Sequence, residues 1–219
     1  MVALRPGTAR NLLPSTILLA PLPPSTDART RTKATADLLN TYCMEYSFCP
    51  KCGGALESRL LKTSEPARLV CKQCEFVFFL DPKVAACTVI HEPGGIVLLQ
   101  RAIEPGYGRW VFPGGYVDRG ETVADAAVRE AKEEVNLEVR LVSLLGVYSY
   151  RHSPVIIVVY LAEAVGGLLK AADEALDVRL FSPETIPWNE LAFPSTQEAL
   201  HQYVEGLCSS RGRYSNSKG

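Results

Sequence analysis

The sequence predicts an α/β sandwich built on a mixed sheet, with a small separate module ahead of it. Three observations carry this expectation. Strand-length apolar runs begin at Val84, two segments of helical spacing follow Thr122 and Pro194, and four cysteines fall into two CxxC pairs upstream of the first strand. The 219 residues, 47% hydrophobic and 21% charged with a formal net charge of -1, suffice for one ordinary core plus that module. Near-neutral charge removes the broad electrostatic drive of a non-specific nucleic-acid binder, so bulk polyanions are not expected partners, while a local basic pocket for phosphates remains open. The sequence has no run of about 18 apolar residues, so no membrane span is expected.

Residues 1–44 are rich in Ser, Thr, Pro, Ala and Arg without a sustained period and read as a disordered tail. Two explanations stay open. Met44, five residues before the first paired cysteine, fits a plain tail or a misplaced start codon; Arg5, Arg10, Arg29, Arg31 and Lys33, outnumbering Asp27 and Asp37, fit an organellar transit peptide. The first is weighted higher, with a cytoplasmic location. The apolar stretch Leu12 to Leu22 is broken by Pro14 and Pro21 and makes a poor signal core.

Residues 45–80 form the cysteine module. Cys49-Pro-Lys-Cys52 and Cys71-Lys-Gln-Cys74 are separated by eighteen residues, the spacing of a four-thiolate zinc site. Gly53-Gly54 gives the first knuckle an unhindered backbone, and Phe48, Phe76 and Phe78 are candidates to pack around a ribbon too small for its own core. Four thiolates fill tetrahedral Zn²⁺ and leave no position for water, so a structural role is expected over a catalytic one. Of the seven cysteines, Cys43, Cys87 and Cys208 stand alone; the odd count and the pairing suit a reducing compartment, and Cys87 reads as a core residue.

From residue 81 to 207 the main domain is expected. Val84 to Ile90 and Ile96 to Leu99, separated by Pro93-Gly94-Gly95, read as a hairpin; Val139 to Tyr150 and β-branched Val155 to Leu161 are further strands. A helix begins near Thr122, with Thr122 and Asp125 at capping-box spacing and Ala124, Ala126, Ala127, Val128 and Ala131 as a small apolar face. A second follows Pro194, with Ser195 and Glu198 at the same spacing and Ala199, Leu200, Tyr203, Val204 and Leu207 inward. Residues 208–219 read as a flexible polar tail.

The first helix carries Arg129, Glu130, Glu133 and Glu134. With 3.6 residues per turn the three carboxylates project from one side, and anions that close persist cheaply only with cations among them; hard oxygens suit Mg²⁺ or Mn²⁺. Such runs alone are usual on solvated helices. The preceding loop changes that reading, because Phe112-Pro113-Gly114-Gly115 permits close backbone approach and Gly120-Glu121 adds a carboxylate before the cap.

From Gly115 to Leu137 the chain resembles the Nudix hydrolases. Their signature of Gly, five residues, Glu, seven residues, Arg-Glu, aliphatic, any, Glu-Glu, any, Gly, aliphatic is met at every specified position except that Asn136 replaces the second Gly, and the aliphatic slot is the small Ala131. Asn tolerates the left-handed backbone expected there. The cysteine module, Asp81-Pro82-Lys83-Val84 and Leu191-Ala-Phe-Pro-Ser195 resemble the zinc-ribbon subgroup associated with ADP-ribose and FAD pyrophosphatases. That resemblance covers roughly residues 46 to 207.

It implies a Nudix α/β/α sandwich, a homodimer, and Mg²⁺- or Mn²⁺-dependent attack of water on a phosphoanhydride in a nucleotide-type small molecule. Glu130, Glu133 and Glu134 are then metal ligands with the Gly115 carbonyl, Arg129 holds the carboxylates by a bidentate contact, and Glu121 completes the cluster or orients water. Glu130 and Glu174 are both candidates for the general base, Glu174 also for a further ligand or a plain surface acid. Tyr107, Trp110 and Tyr148 are candidates to stack on a base and Arg101, Arg109 and Arg151 to contact phosphates, against the commoner roles of core aromatic and surface charge. The Ser-Gln-Pro-Trp-Pro-Phe-Pro run of NADH-cleaving members is absent, and Pro154 is a cue toward ADP-ribose. A nucleoside-triphosphate pyrophosphohydrolase and a non-catalytic nucleotide-sensing regulator are the alternatives; regulators often erode the acidic signature, which here keeps every carboxylate.

Overall fold

The computed structural model describes residues 46–151, 153–172 and 174–214, with side-chain detail up to residue 207. The expectations for the tail 1–44, for Met44 and Cys43 and for the Cys208 side chain fall outside the described residues. The chain divides into two compact units between Phe79 and Leu80.

The first unit is a three-stranded antiparallel sheet of β1 (Leu56–Arg59), β2 (Arg68–Cys71) and β3 (Val77–Phe78), in the order β1-β2-β3. Its buried apolar residues are few, Leu69 and Val70 beside Cys49 and Cys71. Tyr46 meets Phe78 edge-on at 5.0 Å, whereas Phe48 stays 69% exposed and does not fill a core as the sequence suggested. So little burial leaves the ribbon dependent on its cysteines.

The second unit runs β4 (Lys83–Glu92), β5 (Gly95–Arg101), β6 (Trp110–Val111), β7 (Gly114–Tyr116), α1 (Val123–Val135), β8 (Leu137–Ser149), β9 (Val155–Gly167), β10 (Ala175–Phe181), a short 3₁₀ turn (Trp188–Glu190) and α2 (Pro194–Tyr214). Its sheet has the order β10-β5-β4-β9-β8, with β6 beside β5 and β7 beside β4. The β4–β9 pair is parallel and the others are antiparallel, which makes the mixed sheet. The expected hairpin forms at Pro93-Gly94, where φ of +117° at Gly94 needs glycine. β4 and β5 pair only at His91–Ile96 and Glu92–Gly95 before they diverge. The gap they open is filled by β6 and β7, and it is this splay that brings the Gly114-Gly115 loop into the sheet.

Ile90, Ile96, Leu98, Leu99, Leu137 and Leu200 are essentially fully buried, each worth about 1.5–3 kcal/mol relative to exposure. Helix α1 presses Ala131 and Val135, spaced by four, into this layer, and Ala126 and Ala127 pack on Ala86 of β4. Small side chains at these positions, Ala131 included, let the helix lie close to the strands. Thr122 caps it by accepting the Asp125 N–H at 3.1 Å, as the spacing predicts. At the other end Asn136 takes φ of +58°, and its N–H reaches the Ala131 and Lys132 carbonyls.

Helix α2 buries Ala199, Leu200 and Tyr203 as expected, but two boundaries differ from the sequence reading. Pro194 occupies the first helical position, so Ser195 lies inside the helix and is not its cap. The helix also continues to Tyr214, past the expected start of a tail at residue 208.

Candidate active site and cysteine cluster

Glycine determines where the acidic helix meets the sheet. A Cβ at Gly114 would overlap the Cys87 sulfur and Cα, and one at Gly115 would overlap the Glu130 carboxylate. Both residues therefore hold β7 flush between β4 and α1, and the Gly114 N–H donates to Glu134 Oε2 at 2.8 Å. Cys87 is buried as expected, and burial pushes its thiol well above the ordinary cysteine range.

Arg129 organises the carboxylates. Its Nε and Nη2 donate to the two oxygens of Glu121 at 2.8 and 3.0 Å, its Nη1 to Glu130 at 2.8 Å and Glu133 at 2.9 Å, and Nη2 also to the Tyr116 carbonyl at 3.1 Å. The bidentate fork thus goes to Glu121, not to the three helix acids, and Glu134 is held by the Gly114 backbone instead. Hydrogen bonding from Arg129 keeps the Glu121 carboxyl below its usual range. Burial, reinforced by Glu133 and Glu174, pushes Glu130 up against the pull of Arg129, and burial raises Glu134 to about 7 with Glu130 and Glu174 adding repulsion.

Glu130, Glu133 and Glu134 line one wall of a cleft of about 1030 Å³, with Glu121 behind them on Arg129. Glu174, just before β10, lines the same cleft, its backbone carbonyl tied to the Ala102 N–H at 2.8 Å. Carboxylates crowded and half-buried in this way, with hard oxygen donors facing an open volume, fit a divalent cation better than they fit one another.

Of the aromatic and basic candidates, only Arg101 lines this cleft. Trp110 is 5% exposed and packs edge-on against Phe181 at 4.9 Å, so it is core and not a stacking surface. Tyr148 hydroxyl donates to Gln202 at 2.9 Å, Arg109 reaches the Leu191 carbonyl, and Tyr107 and Arg151 do not line the cleft. Residues the sequence reading passed over are Tyr150, Phe193 and Thr196, all in the cleft wall. Phe193 carried a signal in the Leu191-Ala-Phe-Pro-Ser195 run, read as a subgroup likeness and a helix start without a site role, whereas Tyr150 and Thr196 carried none.

In the ribbon the four sulfurs of Cys49, Cys52, Cys71 and Cys74 lie within 4.8 Å of one another. Cys49–Cys74 is 3.8 Å, Cys52–Cys71 3.5 Å and Cys52–Cys74 3.3 Å. A tetrahedron with Zn–S bonds of about 2.3 Å has edges of about 3.8 Å, so the donor set fits zinc. Backbone N–H groups of Cys74 and Gln73 on the Cys71 sulfur draw that thiol down to about 7, toward the thiolate a metal needs. The Lys51 N–H donates to the Cys49 sulfur at 3.4 Å.

Residues 81–203 match the NUDIX domain model and residues 47–79 the Nudix N-terminal zinc-ribbon model. The ADP-ribose pyrophosphatase of Methanocaldococcus jannaschii is 40% identical over 126 residues, 54% of this chain and 72% of that protein. An NAD-capped RNA hydrolase NudC of Pseudomonas putida is 26% identical over 151 residues, 68% of this chain and 52% of that one. A crystal structure of a NUDIX hydrolase from Nitrosomonas europaea superposes with a TM-score of 0.70 at 32% identity, covering 73% of this chain and 91% of that one.

Proposed function

Because this chain belongs to the NUDIX hydrolase family, we propose that it cleaves the phosphoanhydride of a nucleoside-diphosphate-linked substrate, ADP-ribose or FAD, and releases AMP. The observation that carries this reading is the wall of carboxylates gathered by Arg129 along a cleft of about 1030 Å³. That volume lies at the upper end of ligand pockets, which run from roughly 300 to 1,000 Å³, and suits a dinucleotide. The likeness to an ADP-ribose pyrophosphatase supports the substrate class.

Glu130, Glu133 and Glu134, with the Gly115 carbonyl, would hold Mg²⁺ or Mn²⁺, which when bound neutralises phosphate charge and acidifies a water. Arg129 keeps Glu121, Glu130 and Glu133 in fixed relation, so their mutual repulsion does not splay them apart. Glu130 is engaged by Arg129, whereas Glu174 has no side-chain hydrogen bond among the described residues. Glu174 is therefore the freer acceptor for the proton of the attacking water. Cys49, Cys52, Cys71 and Cys74 would hold a structural Zn²⁺, one per chain. A homodimer is supported by the exposed Val142, Leu144 and Val147 of edge strand β8.

Glu133→Gln keeps the shape of the side chain and removes its charge. It is expected to abolish Mg²⁺-dependent AMP release from ADP-ribose and FAD, measured by chromatography of the products; full activity in this variant overturns the assignment.

A further inference from the structure

Helix α1 ends in carbonyl groups that its own turns cannot satisfy, and the chain between β9 and β10 satisfies them. The Lys170 N–H donates to the Val135 carbonyl and the Ala172 N–H to the Glu134 carbonyl, each at 3.2 Å. The chain arrives there through Gly167, whose φ of +89° and close contact with the Asn136 carbonyl leave no room for a Cβ. A third bond is shorter than the first two: Asn136 Nδ2 donates to the Leu168 carbonyl at 2.8 Å. Residues 168–172 thus hang on the last turn of the acidic helix, one bond falling on Glu134, whose carboxylate takes the Gly114 N–H.

Glu174 follows this segment directly. Its carbonyl accepts the Ala102 N–H at 2.8 Å, and the Ala175 N–H returns to the Ala172 carbonyl at 2.9 Å, anchoring the backbone around it. Ala172 and Glu174 both line the cleft, and the Glu174 charge is felt at Glu130 and Glu134. Where Glu174 sits relative to those acids therefore depends on how the end of α1 holds Leu168 to Ala172.

The left-handed cap at Asn136 could be made by the signature's glycine without steric cost. What glycine lacks is the amide that reaches Leu168. We propose that Asn136 is a positioning residue for Glu174: standing where the signature has glycine, it ties the segment leading to that carboxylate onto the acidic helix. The proposal rests on the reading of Glu174 as acceptor for the proton of the attacking water, and deepens it.

Asn136→Gly, which restores the signature, tests it in the full chain. The variant keeps the cap, so its melting temperature should not fall. Amide exchange at Lys170 and Ala172 should quicken by about three- to tenfold, the range of one net hydrogen bond, while amides 126–133 of α1 keep their protection. At saturating Mg²⁺, kcat for ADP-ribose should fall by a similar factor, with KM and the Mg²⁺ concentration for half-maximal rate unchanged. A helix end that had merely lost stability would instead melt earlier and disturb the Mg²⁺ dependence. In a Glu174→Gln background the same substitution should cost less than about twofold, because both changes act through one group. Unchanged exchange at Lys170 and Ala172, or equal losses of kcat in both backgrounds, overturns the positioning role. Faster exchange in a protein whose Glu174→Gln variant keeps full activity upholds the tie and overturns the proton-acceptor reading instead.

Discussion

The two units gather metal-suited side chains by opposite means. In the ribbon, four soft donors come from two turns and close on one another, with backbone N–H groups behind them. In the hydrolase unit, hard donors come from a single helix and are held open by an arginine, facing a cleft. The first arrangement has no position for a reactant and the second has nothing else to face. The cores differ to match: a handful of buried residues in the ribbon against a continuous apolar layer in the larger unit. On the proposed reading, one metal would thus make structure and the other would be held by a structure already made.

Removing the metal from each unit should separate these roles most sharply. Chelation of zinc, or Cys71→Ser, is expected to abolish hydrogen-exchange protection across β1, β2 and β3, because zinc binding in small domains is folding free energy of about 10 kcal/mol or more. Protection in β4, β5 and β9 should persist; if it collapses as well, the larger unit is not self-supporting. A smaller effect is expected from Arg129→Ala, which leaves the carboxylates in place without their tie. Activity on ADP-ribose should fall by about 10- to 100-fold, with the Mg²⁺ concentration for half-maximal rate raised, as for other residues that orient ligands. Unaltered metal dependence would deny Arg129 that task. The smallest effect is Thr122→Ala, which deletes the cap of α1 and should cost about 1 kcal/mol. Calorimetric melting should shift for the larger unit alone, with zinc content unchanged.

Much of this was legible in the chain because it is local. The α1 cap and the one-sided carboxylates follow from spacings of three and four residues, the cysteine pairs from a short spacing as well, and the turn at Asn136 from the resemblance, where Asn stands at the signature's second Gly. What escaped is set by distant partners. The parallel β4–β9 pairing joins strands some seventy residues apart, and nothing in either strand states its direction. Trp110 is apolar and aromatic whether it faces Phe181 or a substrate, so its burial against β10 could only be seen in the fold. The Arg129 fork chose Glu121, eight residues back, over nearer acids because the loop from β7 returns that carboxylate to the helix. Phe193 likewise acquires its Arg101 neighbour only when β5 and the start of α2 come together.

The close approach of Gly114 to Cys87 bears on the chain's chemical reactivity. The thiol lies under backbone at the floor of the cleft, and burial holds it in the neutral form, so it is a poor nucleophile as long as β4 and β7 stay paired. An alkylating reagent meets little of this sulfur until that pairing opens. Cys87 is therefore a built-in reporter in the cleft wall: its alkylation rate in the zinc-loaded protein rises with the opening of that pairing, with no cysteine to engineer.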